Sequence, residues 1–263
     1  MKKSVLISSL MVAAALLSQS ALAEVKVRAG VGSSTYSLGG DYTHAKSTYN
    51  PTNFGLTFSS DGGLYLDLAY SSGSGHHNGW DTAHTMSSIC STWCNNLAAP
   101  SEPFKRSDYA LILGSSHLNP NNGIAVTFYG GIKGGSTTLG AQDAGTISGW
   151  TEEKFDSSGI VLGGGASFPV AQGRAGSVGV NLGIGFMGAT WKDNSPAGFS
   201  VKASTAVGGS FGVNYTYPIT SNFGVVVDYK GNAYSYNFGK DTANAFKVNE
   251  SINAFGATLY AKF

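Results

Sequence analysis

The chain has 263 residues, with 16 Lys and Arg against 15 Asp and Glu, 12% charged residues in all, and 37 glycines. A net charge of +1 leaves no basic excess with which to hold nucleic acid. Beyond the N-terminus no run approaches the ~18 apolar residues of a membrane helix, so any membrane crossing must use strands.

Lys2 and Lys3 precede an apolar stretch from Val5 to Leu17 and then Ala21-Leu22-Ala23. Positive start, apolar centre and small-residue site together predict a secretory signal peptide over 1–23, cut after Ala23, and one mature domain over 24–263. Taking Lys2 and Lys3 from the 16 basic residues leaves 14 against 15 acidic ones.

From residue 24 onward the chain alternates with period 2, the signature of a strand with two unlike faces. The first strand sets Val25, Val27, Ala29 and Val31 against Lys26, Arg28, Gly30 and Gly32. The second carries Phe54, Leu56 and Phe58, and the third sets Leu64, Leu66, Leu68 and Tyr70 against Tyr65, Asp67 and Ala69. Tyr109, Leu111 and Leu113 oppose Asp108 and Ala110 in the fourth, and Val126, Phe128 and Ile132 oppose Tyr129, Gly131 and Lys133 in the fifth. The sixth shows Ile160, Leu162, Ala166 and Phe168, the seventh Val178 to Phe186 on the even positions, the eighth Val207, Phe211, Val213, Tyr215 and Tyr217. In the ninth, Phe223, Val225, Val227 and Tyr229 alternate with Gly224, Val226, Asp228 and Lys230. The last sets Phe255, Ala257, Leu259, Ala261 and Phe263 against Gly256, Thr258, Tyr260 and Lys262.

None of the apolar parities carries a charge, as the cost of a cation in lipid demands, about 2 to 4 kcal/mol for Arg or Lys at the midplane. Only a closed barrel lets such strands cross lipid with every backbone group paired. Short connections, Ser59 to Gly63, His117 to Gly123, Pro169 to Ser177 and Pro218 to Asn222, alternate with long ones near Gly39 to Asn50, Ser71 to Lys105, Gly135 to Glu152, Lys192 to Lys202 and Phe238 to Lys247. The prediction is an all-β fold: a transmembrane antiparallel up-and-down β-barrel of about ten strands, eight or twelve also being compatible, with a periplasmic N-terminus. A soluble secreted β-sandwich or barrel would share the alternation but gives no reason for an uncharged parity.

With its signal peptide, repeated hairpins and terminal Gly256-Ala257-Thr258-Leu259-Tyr260-Ala261-Lys262-Phe263, the chain resembles the small Gram-negative outer-membrane β-barrels, the OmpA-, OmpX- and OmpW-like proteins and their porin relatives. The resemblance implies residence in the outer membrane and makes Gly256, Leu259 and Phe263 part of an assembly signal read by the barrel-assembly machinery. It implies outer-membrane lipid and lipopolysaccharide as surroundings, and small solutes or a surface partner as ligands. It specifies no activity, because pores, adhesins, anchors and a few enzymes share the architecture.

The opposite parity carries Lys26, Arg28, Asp67, Asp108, Lys133, Asp228 and Lys230. In a narrow lumen such a mixed set either satisfies itself by cross-lumen ion pairs or forms a charged constriction that sorts solutes. The lumen glycines have two readings as well: missing volume that opens a narrow pore, or room for Arg28, Tyr65 and Tyr129. The longest connection holds His76, His77, Trp80, His84, Cys90, Trp93 and Cys94. Two cysteines in one exported loop are expected to form a disulfide, and the histidines to be solvated; their spacing matches no familiar metal site, so neither metal nor cofactor is expected. His44 near Asp41 and His84 near Asp81 lack a nucleophile, and neither Asp-Asp nor Asp-His occurs, so no enzyme is expected, a hydrolase being the remote alternative. Gly183-Ile184-Gly185-Phe186-Met187-Gly188 matches a nucleotide-binding string but lies within an alternating strand, where that string has no meaning. The leading functional expectation is a narrow porin-like channel for small solutes or ions; the alternative is a closed scaffold whose outer loops meet a surface or envelope partner.

Overall fold

The computed structural model describes residues 22–40, 44–78, 102–142, 150–171, 175–193, 200–239 and 245–263. They form β1 (Leu22–Gly40), β2 (His44–Tyr49), β3 (Thr52–Ser60), β4 (Leu64–Asn78), β5 (Glu102–Leu118), β6 (Ala125–Gln142), β7 (Trp150–Pro169), β8 (Ser177–Asp193), β9 (Ser200–Lys202), β10 (Ala206–Pro218), β11 (Phe223–Phe238) and β12 (Phe246–Lys262). Sequence neighbours pair antiparallel, except β2 with β3 and β9 with β10, and β12 returns to β1 to close the ring. Two positions in the ring are shared. β2 and β3 both lie between β1 and β4, and β9 and β10 both pair with β8. Twelve strands with two shared positions make ten staves.

The seam between the chain ends is closed by the last residue. Val25 donates its N–H to the Phe263 carbonyl at 3.1 Å and accepts the Phe263 N–H at 2.9 Å. The start of β1 and the end of β12 lie on the rim of the short turns, which in this architecture is the periplasmic one. At the first of those turns the Gly63 N–H returns to the Ser60 carbonyl at 3.0 Å. Gly63, and not the neighbouring Gly62, takes the left-handed conformation, with φ of 81°, a state that costs glycine no steric penalty.

The staves run much further than their apolar outer faces. β7 has 20 residues, which at about 3.3 Å per residue and a tilt near 40° rise roughly 50 Å, about twice the ~25 Å apolar band of such barrels. Much of the predicted long connections is therefore ladder: Ser71 to Asn78 belongs to β4, Glu102 to Lys105 to β5, and Gly135 to Gln142 to β6. His77 is accordingly not a solvated loop residue. It sits inside β4, fully buried, with Nε2 hydrogen-bonded to the Gly140 carbonyl at 2.8 Å. His76, its neighbour, faces outward and is exposed. Trp80, His84, Cys90, Trp93 and Cys94 lie outside the described residues, as does nearly all of the predicted signal peptide.

Along each stave the apolar residues change face at one height. In β12 the exposed apolar side chains are Phe255 and Leu259, whereas the buried ones are Val248 and Ile252. In β1 Val27 and Val31 are exposed, but Tyr36 and Leu38 are buried; in β11 the pairs are Phe223 and Tyr229 against Tyr236 and Phe238. Successive side chains of a strand point to opposite faces, so the strand has not turned over. Its surroundings have. Near the short turns the barrel faces hydrocarbon and wears its apolar side chains outside, Phe128 and Leu182 being 70% and 69% exposed. Further up it faces water, and it buries its apolar side chains within itself.

Candidate functional site

The interior has two storeys. In the lower one, level with the outer apolar belt, Arg28 of β1 reaches past β3 to pair with Asp67 of β4, and Thr57 donates to the same carboxylate at 2.6 Å. Asp228 pairs with Lys230, Lys133 donates to the Asn232 side chain, and the Lys26 ammonium lies 4.5 Å from the centre of the Tyr260 ring. Between them is a cavity of about 300 Å³, bordered by Arg28, Asn53, Lys133, Asp228, Lys230 and Asn232.

The glycines of this storey seat large neighbours. A Cβ added to Gly55 would strike the Arg28 guanidinium, one on Gly114 the Tyr65 ring, and one on Gly163 the Tyr129 ring. Their missing volume is occupied by side chains lying across from adjacent staves, which is the second of the two sequence readings. At the seam Gly256 sits where any Cβ would press on Asp228 Oδ1 at 2.9 Å, whereas Leu259 points outward.

The upper storey is built around a buried cation. Arg106, on the inward parity of β5 above the belt, donates from Nη1 to Glu250 Oε1 and to Thr137 Oγ1, at 2.7 and 2.6 Å. From Nη2 it donates to Asp108 Oδ1 at 2.7 Å. Tyr236 donates its hydroxyl to the other Glu250 oxygen at 3.1 Å, and Arg106 stacks 4.8 Å from the centre of Tyr36. Burial alone would lower the guanidinium's pKa, but Asp108 and Glu250 beside it hold it well above its ordinary value. Burial, reinforced by Glu250, pushes the Tyr36 and Tyr236 phenols well up, so both stay neutral.

Around and above that network lies a continuous aromatic and aliphatic core. Phe155 meets Trp191 edge-on at 5.9 Å and Tyr236 at 5.3 Å, Phe238 stacks on Phe246 at 5.0 Å, and Phe104 packs between Tyr36 and Tyr49. Every stave contributes a buried inward residue at this level, from Tyr36 on β1 and His77 on β4 to Phe104, Leu139, Phe155, Trp191, Ala206, Phe238 and Val248. The buried side chains of this cluster lie on the inward parity above the lower cavity.

Of the residues singled out in the sequence, Lys26, Arg28, Asp67, Asp108, Lys133, Asp228 and Lys230 all face the lumen. Arg28 with Asp67 and Asp228 with Lys230 form pairs; Asp108 belongs instead to the upper network. Arg106 and Glu250, which anchor that network, escaped the sequence reading because both lie where the apolar parity has switched sides. The signal was present: Val248 and Ile252 fall on even positions just before Phe255 and Leu259 fall on odd ones.

No protein-family model matches the chain, and no curated protein matches it. Solved structures do. The outer-membrane protease OmpT from Escherichia coli is similar over 93% of this chain and 98% of its own, at 11% identity and a TM-score of 0.64. The translocator domain of the autotransporter NalP from Neisseria meningitidis is similar over 91% of this chain and 88% of its own, at 9% identity and a TM-score of 0.50. At such identities the likeness concerns fold and not chemistry. Ring closure through β1 and β12, the outer apolar belt and these two likenesses agree: the chain has the fold of the Gram-negative outer-membrane β-barrels.

Proposed function

We propose that the protein is an integral outer-membrane barrel closed to diffusion, which serves as a scaffold for surface interaction through its outer rim. The observation that carries this reading is the buried core of the upper storey, to which all ten staves contribute. A diffusion channel needs a continuous wet path, and here the charged lower lumen ends beneath close-packed aromatic rings. In the lower storey Arg28 pairs with Asp67 and Asp228 with Lys230, while Lys133 and Lys26 rest on the Asn232 side chain and the Tyr260 ring, so each of these charges is satisfied from within, as a filled barrel requires. Staves that rise well past the belt carry the outer rim clear of the lipid, which suits contact with something outside the cell.

Deleting residues 79–101 and joining Asn78 to Glu102 by a short Gly-Ser linker leaves the whole ladder of β4 and β5 intact. Expressed in a non-adherent host strain, the full chain is expected to confer attachment to a surface or envelope partner. The deletion variant, still folded by its heat-modifiable migration on a gel, is expected to lose it. Equal attachment with and without the segment, or none with the full chain, contradicts the scaffold reading.

A further inference from the structure

The lower cavity has a polar side and an apolar one. Arg28 on β1 and Lys133 on β6 stand in one cross-strand row, joined through Gly55, Ala69 and Ala110 of the staves between them. Three small residues clear the wall between two cations. Arg28 lies over Gly55, where a Cβ would strike its guanidinium, and Lys133 crosses the lumen to the Asn232 side chain. Asn232 stands two positions from Lys230 on the same face of β11, which brings a second ammonium close to the first. Beside them Ala69, Ala110 and Ala254 stay partly accessible, and with Ile252 they border the same cavity.

The ion pairs here put their cations forward. Lys230 keeps 63% of its side chain accessible against 12% for its partner Asp228, and both oxygens of Asp108 accept from Arg106. An ammonium has three N–H groups, of which Lys133 places one on Asn232, and the Arg28 Nε–H has no acceptor among the described residues. The cavity therefore offers a ligand donors. Among the described residues Lys26 and Lys133 pair with no carboxylate, Arg28 and Lys230 pair with one each and Arg106 with two, which leaves one positive charge uncancelled. A phosphoryl group, with about 1.5 to 2 negative charges near neutral pH, exceeds it, and Asp108 and Asp228 on the cavity wall oppose the surplus. A single carboxylate on a short apolar stem matches the donors, the charge and the alanines. We propose that the cavity binds a small organic monocarboxylate, its head held by Arg28, Lys133 and Lys230 and its stem against Ala69, Ala110 and Ala254. It enters from the short-turn rim, where the inward-facing Asn181, Asn214 and Thr216 also stay partly accessible. Such binding is independent of attachment through the outer rim.

The test is calorimetric titration of the full chain, folded in non-ionic detergent, with butyrate, with its neutral analogue butyramide and with inorganic phosphate. A hydrogen bond to a charged group is worth roughly ten- to a hundredfold in binding. Wild type is therefore expected to bind butyrate at least about tenfold more tightly than butyramide or phosphate, a comparison that needs no variant. Lys133→Met and Lys230→Gln, each shown to be folded by heat-modifiable migration, are expected to weaken butyrate by about tenfold or more and to leave butyramide unchanged. Ala110→Leu keeps every charge but occupies the space of the stem, and is expected to weaken both. Lys105→Gln on the outer wall is expected to bind normally. Absence of butyrate binding, equal binding of butyramide, tighter binding of phosphate, or unchanged butyrate affinity in both lysine variants overturns the proposal.

Discussion

Replacing Arg106 by methionine is expected to destabilise the folded barrel by about 3 to 5 kcal/mol, the cost of breaking a buried ion pair by removing one partner. Arg106 and Glu250 are 3% and 2% exposed, so methionine fills the space but leaves the Glu250 carboxylate without its counter-charge. Asp108 loses its guanidinium as well, and Thr137 loses a donor. Urea unfolding of protein refolded into vesicles measures the loss. A double Arg106→Met, Glu250→Met variant is expected to recover most of it, because well-packed apolar replacements of a buried pair are often neutral or stabilising. A single variant within about 1 kcal/mol of wild type would show that the network does not hold the upper storey together.

Phe155→Ala is expected to cost a similar amount, about 3 to 5 kcal/mol, for a different reason: truncating a buried aromatic forfeits its transfer energy and leaves a cavity. Phe155 is 1% exposed and touches Trp191, Tyr236 and Phe238, so three aromatic contacts end on the void. Phe128, on the outer face of the belt, serves as the control. Its truncation opens no internal cavity, because lipid chains can follow the shortened side chain. The same unfolding measurement on the two variants compares them, and equal losses would mean that the upper storey is not a packed core.

Much of the barrel was legible in the sequence, for a simple reason. In the belt one parity must avoid charge and the other need not, so Val25 to Val31, Val178 to Phe186 and Phe255 to Phe263 announce both strand and face. Above the belt the rule reverses. Tyr36, Leu38, Val248 and Ile252 mark the inside by being apolar, and a reading that looks for one continuous parity ends the strand where the parity jumps. That is why His77 and Phe104 fell within the supposed loop from Ser71 to Lys105, and Arg106 just beyond it went unremarked, although all three lie on inward positions of β4 and β5. The lumen glycines were ambiguous from sequence because their neighbours across the ladder are set by register. Gly114 makes room for Tyr65 and Gly163 for Tyr129, and no local pattern brings residues so far apart in the chain together. The predicted disulfide between Cys90 and Cys94, and the loop residues Trp80, His84 and Trp93, fall outside the described residues.

The closed lumen is the claim on which the functional reading turns. Single-channel recording of the folded wild-type protein in a planar bilayer, across a range of salts and voltages, tests it most directly. A barrel sealed by Tyr36, Phe104, Phe155, Trp191 and Phe238 predicts no discrete conductance steps above the bare membrane, whereas reproducible steps from the folded protein would contradict it.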